Sequence, residues 1–469
     1  MQIKTAMKRF LSLFFLSRKL SYRLYLYIII SIEEIMMRNI LTVLALCLTP
    51  FALNADEVFV GSKHGSDPMH PSYKGRVMTG YQGWFRTPGD GSGRGWVHWG
   101  RNDFNDDNCT VEAFPEMDEY ETKYPSGFTY EDGSLVEVFS SYDAQTVDTH
   151  FKWMKEYGID GAMVQRFFGS THPRTRADGI HILKNAQKAA EKHGRALVVM
   201  YDLSGARPGR DISNQLIEDW KYLVDELKIT GGKGTNYLFH NGKPLVSIWG
   251  LGFVDRPYSL DTMGIEKFIK FLKEDKEYGG CSIMIGVPPT FRTLDGDTLS
   301  DPKLHEILKN SDVVSPWNPG RFSLDGTKEK RESLEALLKD RVSKDVVFCK
   351  EIGIDYAPVI YPGFSWYNLM YKRNPNVVFN SAPRLKGEFF WTLAKAMIDN
   401  GSEMIYVAMF DEVDEATAIF KITDKIPPTK NTKFITNEGM GSDYYLYLSG
   451  EIAKALREKS KLPQMPPQR

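Results

Sequence analysis

The 469-residue chain carries 59 Lys and Arg against 60 Asp and Glu, a formal net charge of −1, with 42% hydrophobic and 13% aromatic residues. That balance excludes disorder and offers no cationic footprint for nucleic acid, and four cysteines exclude a disulfide scaffold. The length fits either two or three domains or one α/β barrel with insertions, so the pattern along the chain has to decide.

Residues 1–55 hold seven basic and two acidic residues, which leaves a net charge of −6 on the remainder. Met36-Met37-Arg38-Asn39, the apolar run over 40–53 and Asn54-Ala55 read as a secretory signal peptide cut after Ala55, with Met36 or Met37 as the start. The apolar run is too short to span a bilayer, and Arg18, Lys19 and Arg23 interrupt the preceding one. Leu46 occupies the place where lipid attachment at Cys47 would want a small residue. The expectation is an exported chain, periplasmic or extracellular and free or surface-attached, with no membrane span and a single domain over 56–469. Cys109, Cys281 and Cys349 then remain, allowing at most one disulfide.

From Arg76 onward, short apolar runs alternate with stretches of helical period, the signature of parallel βαβ units. A strand over 77–84 leads through a long insertion, 86–142, to a helix over 144–157 and a strand over 161–167. Helix 179–193 precedes strand 196–202, and helix 212–227 precedes strand 244–249. Helix 262–277, strand 281–287, helix 302–310 and strand 313–317 follow. Helix 328–342, strand 357–361, helix 383–400 and strand 404–410 complete eight repeats, with a closing helix over 443–459 and a frayed end at 462–467. Gly158, Gly194 and Gly279 or Gly280 sit where left-handed helix caps belong. Eight strands predict a (β/α)8 TIM barrel; an open doubly wound sheet would want a Gly-rich phosphate loop after its first strand, which ends here in aromatic residues instead.

In such a barrel the site lies where strand C-termini meet the following loops. Those positions carry Tyr81 and Trp84, Arg166, Asp202, Trp249, Trp317, Tyr361 with Trp366 nearby, and Asp411. Rings interleaved with carboxylate, amide and guanidinium groups suit a sugar, whose C–H faces stack while its hydroxyls need paired donors and acceptors. Trp96, His98 and Trp99 in the insertion extend this set of candidate substrate contacts. After the last strand, Asp411, Glu412, Asp414 and Glu415 crowd four carboxylates into five positions; in a buried site their repulsion would hold a proton at neutral pH, in an open turn solvent would screen it. In a helical turn Glu412 and Glu415 would face the same way, with Cβ atoms about 5–6 Å apart. Such a pair does not straddle a sugar ring; it suits a mechanism in which one carboxylate deprotonates a sugar hydroxyl while the other protonates the leaving oxygen.

Gly80-Tyr81-Gln82-Gly83-Trp84-Phe85, Trp96-Val97-His98-Trp99 and Asp411-Glu412-Val413-Asp414-Glu415-Ala416-Thr417 resemble the glycoside hydrolase family 71/99 group, which includes the endo-α-mannosidases. The resemblance implies that Glu412 is the base that activates the substrate 2-hydroxyl, giving an anhydro-sugar intermediate with overall retention. It implies that Glu415 is the general acid and later the base for water. Asp411 stands where that group usually has Asn, Val413 where it has an aromatic residue, and Ala416 where it has Gly. Loss of the aromatic at Val413 would remove one stacking face.

No His-Glu-x-x-His, Cys-x-x-Cys or phosphate-loop ending is present, so no metal or cofactor is expected. Gly89 to Gly95 reads as a flexible lid. Asp103, Asn105 and Asp107 alternate like calcium ligands, but Asn108 takes the glycine position and no closing Glu follows. The expected partner is a glycan, cleaved at α-glycosidic bonds. An α-1,3-glucanase, a xylosidase or arabinosidase on the same barrel, and a non-catalytic glycan-binding barrel are the alternatives.

Overall fold

The computed structural model of the protein describes residues 58–468, so the signal-peptide segment and both candidate starts lie outside the described residues. Every element below belongs to one compact unit, Phe59–Arg469. β1 (Val77–Tyr81) is followed by an insertion carrying an antiparallel hairpin, β2 (Tyr124–Thr129) and β3 (Leu135–Val138). Next come α1 (Ala144–Glu156), β4 (Gly161–Phe167), α2 (Ala177–His193), β5 (Ala196–Asp202) and α3 (Ser213–Glu226). β6 (Phe239–His240) is a short antiparallel partner of β7 (Lys243–Trp249). α4 (Ile265–Glu274), β8 (Ser282–Val287), α5 (Lys303–Lys309), β9 (Val313–Pro316) and α6 (Lys328–Ile352) continue the alternation. β10 (Asp355–Tyr356), β11 (Val359–Ile360), α7 (Tyr367–Met370), α8 (Glu388–Asp399), β12 (Ile405–Val407) and α9 (Tyr444–Glu458) complete it.

The parallel sheet closes on itself. β1 lies between β4 and β12, and the ladder continues from β4 through β5, β7, β8 and β9 to β10, and from β12 to β11. β10 and β11 are halves of one seventh strand, split at Ala357-Pro358: Asp355 and Tyr356 register with Val313 and Val314, while Val359 and Ile360 register with Tyr406 and Val407. Proline has no N–H to donate to a ladder. The strand therefore changes partners there, with Ala357 N donating to Val314 O at 2.9 Å and Pro358 O accepting from Tyr406 N at 3.0 Å. The result is an eight-stranded (β/α)8 barrel.

Alternation along each strand sorts the side chains. Met78, Met163, Met200, Met284 and Tyr406 fill the barrel, whereas Val77, Tyr81, Val164, Tyr201 and Ile248 pack outward against the helices. The same inward parity, carried to the strand ends, brings Gln82, Gln165, Asp202, Trp249 and Trp317 to the mouth. α6 runs beyond the expected 342 because Val346 and Cys349 continue its buried stripe until Gly353 ends it in the left-handed conformation. β1 stops at Tyr81, short of 84, because the N–H groups of Gln82 and Gly83 turn to the Asp411 carboxyl. β12 is shorter than the expected 404–410: Ala408 N and Phe410 N still donate to Ile360 O and Gly80 O at 2.9 and 2.8 Å, but between them Met409 N donates to Thr417 O at 3.0 Å, which interrupts the regular ladder. Instead of fraying, the C-terminal segment docks on α8, where Trp391 Nε1 donates to Pro463 O at 2.8 Å and Leu462 is buried. Cys109, Cys281 and Cys349 are buried free thiols. Among the described residues no helix is long and apolar enough to cross a membrane.

Gly286, inward on β8, makes room for Trp249: a Cβ there would lie 2.4 Å from the indole Cδ1. Gly286→Ala is expected to destabilise by about 1–3 kcal/mol through overpacking. A lowered thermal midpoint that the added change Trp249→Leu partly restores is the check; equal midpoints for wild type and Gly286→Ala would contradict this packing.

Candidate active site

The acidic segment forms a tight turn above β12. Thr417 N and Ala418 N both donate to Glu412 O at 3.1 and 3.0 Å, and Ala416 sits in the left-handed region at φ 60°. The four carboxyls have different anchors. Asp411 is fully buried, its two oxygens accepting from Gln82 N and Gly83 N, both at 2.8 Å. Asp414 Oδ2 lies 2.9 Å from His98 Nδ1. Glu412, only 4% exposed, has its side chain facing Gln82, and Glu415 has its own facing the Trp366 indole.

Burial raises the Glu412 carboxyl well above the usual carboxylate range; the charges of Glu415 and Asp414 add to the effect and the Gln82 amide opposes it. Burial, reinforced by Asp414, pushes Glu415 up to about 7, while the Trp366 indole and the Arg321 charge pull it down. Glu412 and Glu415 interact strongly enough to titrate as a unit, so at neutral pH the pair retains a proton. Asp411 is likewise pushed up to about 7 by burial, against its two backbone donors.

Around these acids the mouth is aromatic and polar. Trp84 stacks on His98 with ring centroids 3.8 Å apart and planes at 4°, and on Phe167 at 5.3 Å. Trp249 meets Trp317 edge-on at 5.2 Å, and Trp366 is 39% exposed beside Glu415. Gln82 Oε1, Trp84 Nε1, Gln165 Oε1, Trp249 Nε1 and Asp414 Oδ1 are buried without a hydrogen-bond partner. Orphaned buried polar atoms are costly and scarce in folded proteins. Five of those among the described residues belong to side chains around the mouth.

Not every candidate reaches this surface. Tyr81 belongs to the outward set and is buried, its hydroxyl 2.9 Å from His150 Nδ1. Arg166, also outward, is buried in a two-pronged pair with Asp219 of α3, leaving only part of its guanidinium towards the mouth. Trp99 is enclosed in the core of the insertion and donates to Phe139 O at 3.2 Å. Trp96 is half-buried and packs on Phe104 at 5.4 Å. The Tyr361 hydroxyl is buried, donating to Phe322 O at 2.8 Å and accepting from Phe322 N at 3.0 Å. Asp202 lies at the mouth, where its Oδ1 accepts from Ser204 N at 2.8 Å and burial raises its carboxyl. Val413 is fully buried, so the side chain at that position presents no face to a ligand.

Two anchors escape a reading of the sequence. Glu112, in the middle of the insertion, accepts from Ser365 Oγ at 2.6 Å and Asn368 N at 2.5 Å, donates its own N–H to Val413 O at 2.7 Å, and is pushed up to about 8 by burial. Arg384 is buried and donates to Ala416 O and Ala418 O at 3.0 and 2.7 Å, bracing the acidic turn. Neither residue lies in a motif; only the period of strand eight and the excess of acids mark the place they support. A cavity of about 700 Å³ at the opposite end of the barrel, lined by Lys74, Arg76, Ser402 and Arg457, shares no residue with the acids. Among the described residues no group of His, Cys, Asp and Glu is arranged to hold a metal ion.

No protein-family model and no curated protein matches the chain. The chain is similar to the solved structure of the GH99 endo-alpha-mannosidase from Bacteroides thetaiotaomicron, at 14% identity over 82% of this chain and 99% of that one, with a TM-score of 0.57. It is also similar to a structure of that enzyme in complex with bis-tris-propane, at 15% identity over 83% and 99%, with a TM-score of 0.55. The resemblance seen in the motifs therefore extends to the fold, which this chain shares over nearly the full length of a GH99 barrel.

Proposed function

We propose that the protein is a glycoside hydrolase, endo-α-mannosidase-like, that cleaves α-glycosidic bonds within a poly- or oligosaccharide and retains configuration through a 1,2-anhydro sugar. The observation that carries this is a pair of buried glutamates, sharing a proton at neutral pH, beside five orphaned polar atoms and exposed indole surface. Glu412 takes the proton of the 2-hydroxyl, O2 closes on C1, and Glu415 gives its proton to the departing glycosidic oxygen. Glu415 then takes a proton from water as it opens the three-membered ring at C1, and Glu412 returns the proton to O2. Two inversions at C1 leave the configuration unchanged.

The roles within the pair come from the resemblance, because burial raises both carboxyls and does not by itself tell base from acid. A 2-hydroxyl donating to Glu412 favours its charged form, and a glycosidic oxygen accepting from Glu415 favours its protonated one. Substrate thus supplies the order that the site lacks by itself. A non-catalytic glycan-binding barrel would use the same aromatic surface but gives the repelling pair no purpose.

Purified protein assayed for reducing ends on α-mannan, α-1,3-glucan and arabinoxylan is expected to act on one of them. Glu412→Gln and Glu415→Gln should each lose about 10²–10⁴-fold while remaining folded by circular dichroism. Silence of the wild type across a broad glycan panel, or equal activity in the variants, would overturn the proposal.

Activity should decline as pH rises above about 7, where Glu415 loses its proton. Stability should move the same way. A carboxyl raised above its unfolded value binds more protons in the folded state, so folding free energy is lost as pH climbs from about 4.5 through the folded values near 7. Melting curves across that interval should show a falling midpoint, with a shallower fall for Glu415→Gln; a midpoint that rises with pH would contradict the burial of these acids.

A further inference from the structure

A cavity of about 380 Å³ adjoins the acids, lined by Gln82, Trp84, Arg86, Arg94, Arg166 and Asp178 among others. Three guanidinium groups surround it, and their ion pairs are unequal. Arg86 is buried and committed: Nε and Nη2 donate to the two Asp178 oxygens at 3.2 and 2.8 Å, and Nη1 donates to Gly83 O and Phe85 O at 2.9 and 3.0 Å. Arg94 adds a single 3.3 Å contact to the same Asp178 Oδ2 and is 53% exposed. Asp178 is already neutralised, so Arg94 is a surplus cation that can leave it at little cost. Arg94 also sits on a strap in which Gly89, Gly91, Gly93 and Gly95 all have positive φ.

Arg166 supplies a fixed counterpart. Its Nε and Nη2 are held by Asp219, which also accepts from Tyr201 Oη at 3.1 Å. Nη1 has no partner among the described residues, and it lies where a Cβ on Gly179 would come within 3.4 Å, so the missing side chain leaves it open. A neutral sugar would satisfy Gln82 Oε1, Gln165 Oε1 and Trp84 Nε1. It would leave one movable and one fixed guanidinium edge without an acceptor. Guanidinium edges pair best with planar or multi-oxygen anions.

We propose that this cavity is a subsite for a sugar residue bearing an anionic group, a carboxylate or a sulfate ester, and that Arg94 selects it. The substrate is then an acidic glycan. This deepens the glycosidase reading and rests on it for the identification of the neighbouring acids as the cleavage site. The chain beyond residue 55 has a net charge of −6, which works against indiscriminate capture of polyanions.

Affinity electrophoresis of the purified protein through gels containing polygalacturonate, dextran sulfate, yeast α-mannan or dextran tests the proposal. One acidic polymer should retard the protein more than either neutral one, and the pair of acidic gels tells a carboxylate site from a sulfate site. Arg94→Gln should weaken that retardation about tenfold or more, with Arg94→Lys between the two. Equal retardation by neutral and acidic polymers, or an Arg94→Gln variant indistinguishable from wild type, would overturn it. Release from α-mannan that Glu415→Gln abolishes, together with retardation by acidic polymers that Arg94→Gln leaves unchanged, would keep the glycosidase and remove this subsite. Arg94-dependent retardation with no release from any glycan would do the reverse.

Discussion

Four carboxyls within five residues repel one another, and burial makes the repulsion stronger because water is not there to screen it. The site depends on overcoming that repulsion. Asp411 is tied to β1 through two backbone donors, Asp414 to His98 on the insertion, and the carbonyls of Ala416 and Ala418 to Arg384. None of these bonds places a cation against Glu412, so its burden of charge is not relieved but stored as a raised affinity for protons.

The long insertion acquires a purpose in this light. Besides walling one side of the mouth, it binds the chain that leaves strand eight: Glu112 N donates to Val413 O, Glu116 N to Lys421 O at 2.9 Å, and Ile435 N to Glu112 O at 2.8 Å. The Glu112 carboxyl reaches across to the loop after strand seven at Ser365 and Asn368, and Ser365 N donates to Glu415 O at 3.0 Å. Three loops from distant parts of the sequence therefore meet around a turn that could not hold its shape alone. Rigid support of this kind is what a reaction requiring two carboxyls in fixed relation demands.

The alternation of apolar runs and helical stretches located all eight barrel strands, and the acids after the last of them marked the mouth. What the pattern could not convey was the parity of each side chain. Tyr81 and Gln82 are neighbours in sequence, yet one packs outward on His150 and the other faces Glu412, because a strand sends successive residues to opposite faces. Where β1 ends decides which is which, and that end is set by Asp411, 329 residues away. Tyr361 at a strand end and Trp99 in the insertion misled for a related reason: an aromatic ring reads the same in sequence whether it caps the core or faces solvent. Glu112 and Arg384 were illegible because their partners, Ser365 and Asn368 for the one and the carbonyls of Ala416 and Ala418 for the other, are brought to them only by the closed barrel.

The three departures from the family 71/99 pattern take on a physical meaning in the same geometry. At 411 two separate oxygens accept from two N–H groups; an asparagine has one acceptor oxygen and would turn its NH2 against the second donor, so aspartate suits this backbone better. At 413 the side chain is buried beneath the turn, and the substitution of an aromatic by valine alters packing without taking a stacking face from the glycan. At 416 the φ of 60° is one that glycine adopts freely and alanine only at a cost of about 1–2 kcal/mol. Arg384, donating to the carbonyl of that same residue, holds the strained conformation in place. All three differences thus fall on how the turn is supported, and leave Glu412 and Glu415, the residues that face the mouth, as the resemblance requires them.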